Sequence, residues 1–123
     1  LRAKALLKGL MELSEEGAAQ LYRPLEGSAY IIGALGILQF DVIASRLENE
    51  YRVRARFETV PLQSARWITS EDAEELDRFI RENRVRVYRD IADKYSFIAQ
   101  SEWAVGYAEE QYPAITFHKT MEI

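Results

Sequence analysis

YIIGALGILQFDVIASR, residues 30–46, contains the change of period that decides the fold. Residues 29–38 are apolar throughout, the pattern expected of a central strand covered on both faces. Gly33 and Gly36 interrupt that run. Glycine weakens a strand and offers no packing surface, so both are expected where backbone or a helix approaches closely. From Phe40 the spacing turns helical: Phe40, Ile43, Ala44 and Leu47 fall on one face, and Tyr51 extends it. Such a strand–helix unit reports burial first and carries no chemistry of its own.

Upstream, residues 2–13 read as a helix, with Ala3, Leu6, Leu7, Leu10, Met11 and Leu13 forming a wide apolar stripe that Ser14 and Gly17 terminate. Residues 20–25 form a short strand, and Pro24, which cannot donate to a ladder, marks that end as an edge. Glu26-Gly27-Ser28 turns the chain back into the 30–38 strand. Downstream, a helix over 39–50 leads to a strand over 51–57.

The second half is cleaner. Residues 65–69 form a strand, and Ser70 is a suitable N-cap with Glu71 and Asp72 in the first turn. Ala73, Leu76, Phe79 and Ile80 give the helix its buried face. Residues 84–88 and 95–100 read as strands. Ser101 caps a helix that Pro113 ends near Tyr112, and 114–119 is the last strand. The order β-α-β-β-α-β is the split βαβ, or ferredoxin-like, arrangement. The first half, α-β-β-α-β, is the same arrangement without its opening strand. The expected fold is therefore α+β: one domain of 123 residues with two ferredoxin-like lobes, about 1–60 and 61–123. A lobe of that size is marginal alone, so the two should pack together and unfold as one unit.

Composition narrows the function. Hydrophobic content of 48% and charged content of 29% belong to a globular chain. No apolar run reaches the ~20 residues that a membrane-spanning helix needs, and no signal peptide is visible. Cysteine is absent, which excludes disulfides, thiol catalysis and cysteine metal sites and suits a cytoplasmic protein. The net charge of -4 argues against a strongly basic nucleic-acid-binding module, but an acidic total can hide a basic face. The opening at Leu1 rather than Met suggests an excised piece of a longer chain.

The basic strands are the best functional candidates. In residues 52–57, RVRARF, alternate side chains face opposite ways. Arg52, Arg54 and Arg56 then line one face, ~6.6 Å apart, close to phosphate spacing along an extended nucleic-acid strand, while Val53, Ala55 and Phe57 turn inward. Arg84 and Arg86 repeat the pattern, with Tyr88 available for stacking. A solvated strand face is the competing reading. Trp67 and Trp103 are assigned to core or lobe–lobe packing, with exposed interface hot spots as the competing reading. His118, the only histidine, reads as a surface or half-buried strand residue, with no second histidine to share a metal. The acid pairs Glu15-Glu16, Glu71-Asp72 and Glu109-Glu110 are adjacent on helices, so their side chains diverge and do not converge as ligands. No G-x-x-x-x-G-K motif followed by Ser or Thr is present, and neither is a G-x-S-x-G elbow.

Several blocks resemble one family. GALGILQFDV and RLENEY, within residues 33–51, and LLKGLMELSEEGAAQLYRP, residues 6–24, are similar to the C-terminal domain of bacterial peptide chain release factor 3, a ribosome-dependent GTPase. ARW at 65–67 and EEQYPAITFHKTME at 109–122 resemble it too. The chain departs from the family pattern at residues 84–94, RVRVYRDIADK, where a glycine- and asparagine-rich loop is usual. The first lobe is also similar to the third domain of elongation factor G. The resemblance implies a strand upstream of Leu1, and hence an open sheet edge through which the piece could self-associate. It implies a domain that contacts the small ribosomal subunit, through rRNA and ribosomal protein, and that rotates with its neighbour. In that picture the parent recycles class I release factors after termination. GTP and magnesium belong to a separate GTPase domain, and a second domain is a further intramolecular partner. On this resemblance the chain itself is expected to carry no catalysis and no cofactor. A ferredoxin-like small-molecule regulatory or protein-interaction domain is the alternative, because that fold hosts many functions.

Overall fold

The computed structural model describes residues 2–27, 29–33, 37–58 and 64–119. Helix α1 (Arg2–Glu15) and helix α2 (Ile37–Tyr51) pack on each other. Leu10, Leu13, Ile43 and Leu47 are buried between them and strand β1 (Gln20–Pro24), whose Leu21 completes the first core. The helices approach at Gly9. A Cβ there would sit 2.7 Å from Leu47 Cδ2 and 3.0 Å from the Tyr51 ring. Gly17, at φ 83°, ends α1: Ala18 N–H donates to the Leu13 carbonyl and Gly17 N–H to that of Ser14.

Strand β2 (Ile31–Gly33) is shorter than the apolar run predicts, and it lies at one end of the sheet, not in its centre. The helix begins at Ile37, so Leu38 belongs to α2 and is exposed, as is Val42. An apolar run cannot by itself distinguish a buried strand from the start of a helix. Gly33 is not a point of close approach, since an added Cβ would meet only ordinary contacts at 3.6 Å. Gly36 lies outside the described residues.

The second lobe follows the expected order closely. It runs β3 (Ser64–Thr69), α3 (Ala73–Glu82), a 3-10 turn (Arg84–Arg86), β4 (Val87–Arg89), β5 (Tyr95–Ala99), α4 (Glu102–Gln111) and β6 (Thr116–His118). Its strands lie in the order β4-β5-β3-β6, antiparallel throughout, which is the split βαβ arrangement. Phe79 is 0% exposed, with the rings of Phe97, Tyr112 and Phe117 edge-on to it at 5.3, 4.7 and 5.6 Å. Asp72, not Ser70, caps α3 by accepting from Glu74 N and Glu75 N. Ser70 Oγ instead accepts from Asp72 N and donates to the Ala114 carbonyl. Ser101 caps α4 as expected.

The strand predicted over 84–88 is shortened and the one predicted over 51–57 is absent. Residues 84–86 form the 3-10 turn, and only 87–89 join the sheet. Residues 52–58 join no ladder. The topology explains the second case. In the second lobe the last strand, β6, pairs only with the first, β3. Among the described residues no strand precedes α1, so 52–58 has no strand to take that place beside it. The inward–outward alternation survives without the ladder: Val53 is buried, Ala55 and Phe57 pack on the first core, and Arg52, Arg54 and Arg56 are exposed.

The lobes join edge to edge. Residues 20–22 of β1 pair with β2, and residues 23–24 pair with β4, giving one sheet of order β2-β1-β4-β5-β3-β6. Pro24 therefore faces Tyr88 across a ladder and is not at an edge; its carbonyl remains available as an acceptor, and the junction is only two residues long. Each lobe keeps its own core, and they exchange one residue: Leu25 packs on the second core and Ile91 on the first.

Candidate functional site

The exposed arginine strip begins where α2 stops. Arg52 takes the left-handed conformation, φ 58°, and Val53 N–H donates back to the Leu47 carbonyl. This turn points Val53 inward and sets the alternation that follows. Phe57 anchors the far end against Phe40, with ring centroids 5.5 Å apart. Arg52, Arg54 and Arg56 are thus carried outward by a run whose other face is fixed to the core.

Local acids only partly offset this strip. Glu50 and Glu16 both bind Arg46, at 2.6 Å each. The hydrogen bonds from Arg46 hold both carboxyls below their ordinary range. Glu12 accepts from the Tyr51 hydroxyl. Of the acids on α2, only Glu48 reaches the strip, at 3.6 Å from Arg54, and both side chains are well exposed. Among the described residues Arg52 and Arg56 have no ion pair. Arginines in this state keep their full charge for an anionic partner.

Arg84 and Arg86 do not repeat the strip. The 3-10 turn sends them apart. Arg84 binds Glu26 at 2.6 Å, across the lobe junction. Arg86 lines a cleft of about 370 Å³ beside α4, together with Asn83, Trp103 and Tyr107. Tyr88 is half-buried in β4 between Pro24 and Ser96, not poised beside the arginines. Among the described residues no contact or shared cleft joins these two arginines to the 52–56 strip.

Trp103 is not a core residue. It is 76% exposed and stacks on Tyr107, at 5.5 Å and 16° between planes. The buried positions of α4 are Val105 and Ala108. The spacing of Trp103 and Tyr107, four apart and off that face, is the signal that marks them as outward-facing. Val85, also strongly exposed, lies in the adjoining 3-10 turn. Trp67 is half-buried in β3, and its Nε1–H donates to Asp90 Oδ2 at 2.9 Å. Asp90 is buried and organises the 90–94 turn by accepting from Ala92 N and Lys94 N.

His118 is a half-buried strand residue whose Nε2 lies 2.7 Å from Thr69 Oγ1. Glu102 binds Arg66 at 2.6 Å, and that hydrogen bond lowers its carboxyl below the usual value. Among the described residues no group of three or more His, Asp and Glu side chains comes together, and no helix is long and apolar enough to cross a membrane.

The architecture is that of an α+β domain built from two ferredoxin-like halves, with its exposed chemistry in arginine and aromatic surfaces. The family model for the class II release factor RF3, C-terminal domain, matches residues 1–109. The chain belongs to that family, whose members act in translation termination.

Proposed function

We infer that this domain is a ribosome-contacting lever of a release factor that recycles class I release factors after termination. The observation that carries this reading is the family match over residues 1–109. The exposed strip of Arg52, Arg54 and Arg56 supplies matching chemistry, since outward guanidiniums bind rRNA phosphates or acidic protein surface. Trp103 and Tyr107 offer a second contact of the kind that dominates interfaces. Two packed halves joined by a continuous sheet suit the transmission of motion, because packed cores do not deform continuously. The domain itself is catalytically silent in this reading. GTP and magnesium act in a different domain of the parent, since this chain has no P-loop sequence. The partners are the small ribosomal subunit and the neighbouring domains of the same polypeptide, in the cytoplasm.

The test is the salt dependence of ribosome binding by the full-length factor carrying Arg52→Gln, Arg54→Gln and Arg56→Gln together. If the strip binds single-stranded rRNA phosphates, the slope of log affinity against log salt flattens by about 2. An unchanged slope and unchanged affinity would remove the strip from the contact.

A further inference from the structure

The junction between the lobes holds a cleft of about 450 Å³, lined by three arginines, Arg23, Arg84 and Arg89, with Tyr95, Leu25 and Ile80. That volume is within the range of small-molecule sites, ~300–1,000 Å³. Both lobes contribute to it: Arg23 and Leu25 come from the first, the others from the second.

Three features of this cleft go beyond a solvated gap. Arg23 and Arg89 are direct cross-strand partners in the β1–β4 ladder. Like charges placed opposite each other destabilise a strand pair; the Asp93 carboxylate, ion-paired to Arg23, offsets that repulsion in part and leaves Arg89 as the uncompensated charge. Arg89 is in turn paired with Tyr95 across β4–β5. The two arginines and the tyrosine therefore form one row on a single face of three adjoining strands. The Arg89 guanidinium lies 5.1 Å from the Tyr95 ring centroid, and its Nη2 donates to the Tyr95 hydroxyl at 3.2 Å. Among the described residues Arg89 has no carboxylate partner.

Arg23 adds an unmet donor. Its Nη2 donates to the Asp90 carbonyl at 2.6 Å and to Asp93, but its Nε is buried with no hydrogen-bond partner. A buried donor left unpaired costs free energy, which Arg23 recovers by turning its Nε toward an acceptor that enters the cleft. Arg84 brings a third guanidinium, held by Glu26. The cleft thus combines a repelling arginine pair, an orphan donor, and an apolar and aromatic wall.

We propose that this cleft is an anion site that binds a phosphoryl group, and that its occupancy clamps the two lobes together. The phosphoryl oxygens bridge Arg23 and Arg89 and replace their repulsion with charge-assisted hydrogen bonds, and a planar or apolar body attached to it packs on Tyr95 and Leu25. The group could arrive on a free nucleotide or in an RNA backbone, and the chemistry is the same. This site is separate from the 52–56 strip and does not depend on the ribosome-contact reading.

The test uses the purified chain without ribosomes, in low salt, with inorganic pyrophosphate, guanosine monophosphate and a short oligouridylate as separate probes. Thermal unfolding and calorimetric titration read binding. The expected result is a rise in unfolding temperature with at least one probe, and an affinity at least about tenfold weaker in Arg89→Gln, as loss of a charged hydrogen bond implies. Lys8→Gln, exposed on α1 and outside the cleft, binds like the native chain. A response to pyrophosphate or the nucleotide assigns a free ligand; a response to the oligonucleotide alone assigns an RNA backbone. Arg89→Gln also relieves the repulsion with Arg23, so without any probe it unfolds at the same or a higher temperature than the native chain. No response to any probe overturns the proposal, as does equal binding by Arg89→Gln.

Discussion

Adding one methyl group to a helix should have opposite effects at Gly9 and Gly106. Each glycine lies inside a helix, α1 or α4, and replacing it with alanine gains ~1 kcal/mol of backbone entropy and propensity. At Gly106 nothing lies within 4 Å of the new Cβ, so the gain is kept. At Gly9 the Cβ would come within 2.7 Å of Leu47 Cδ2 and 3.0 Å of two Tyr51 ring atoms. Leu47 is fully buried, and the Tyr51 hydroxyl is tied to Glu12, so neither yields freely. Overpacking of this kind costs ~1–3 kcal/mol, which outweighs the helix gain and leaves a net loss of about 1 kcal/mol. For a chain of this size that is a Tm change of roughly 3–6 °C, downward for Gly9→Ala and upward for Gly106→Ala. Differential scanning calorimetry measures both. A rise in Tm for Gly9→Ala comparable to that of Gly106→Ala would refute the packing of α1 on α2 at this point.

Phe79→Ala empties the centre of the second core and should cost ~3–5 kcal/mol, with both lobes lost in a single calorimetric transition because they share a sheet. Arg52→Gly should stabilise the chain by ~0.5–1 kcal/mol, read by urea unfolding, since a left-handed residue with a side chain is replaced by one that adopts φ 58° freely. Tyr51 is pushed up to about 12 from its ordinary 10.0, chiefly by its hydrogen bond to Glu12. A raised value means that the protonated phenol favours the folded state, so this contribution is whole below pH 10.0 and is lost as pH climbs through 12. Tyr22, Tyr88 and Tyr112 are also raised, chiefly by burial, so ultraviolet titration of tyrosinate should find several late phenols, and Glu12→Gln should bring Tyr51 alone back toward the ordinary value.

The parts of the fold legible in the sequence were those set by periodicity and caps. Leu10, Leu13, Ile43, Leu47 and Phe79 all lie where their spacing places them, and Ser101 caps α4. The split βαβ order of the second lobe followed from that spacing. What failed depended on long-range partners. Residues 52–58 alternate like a strand, but a ladder needs a neighbour that local pattern cannot supply. Residues 84–88 alternate too, yet the chain must turn out of α3 first, and a 3-10 turn uses three of them. The same turn separates Arg84 and Arg86, so two of the five expected arginines drop out of a shared basic surface while Arg52, Arg54 and Arg56 stay outward. Trp103 was misplaced because tryptophan's size argues for burial, whereas the small residues Ala104, Val105 and Ala108 form the half-buried and buried face of α4. The arginine row at the junction was invisible in one dimension: Arg23 and Arg89 are far apart in sequence, and only the β1–β4 register brings them together.

The central claim is that this domain converts ribosome contact into release-factor ejection while nucleotide chemistry takes place in a different domain. The most direct measurement compares GTP binding with the rate of class I release-factor ejection in the full-length factor carrying Arg52→Gln, Arg54→Gln, Arg56→Gln and Trp103→Ala. The account predicts unchanged GTP affinity off the ribosome together with slowed ejection on it. Ejection at the native rate, or GTP turnover by this chain alone, would contradict it.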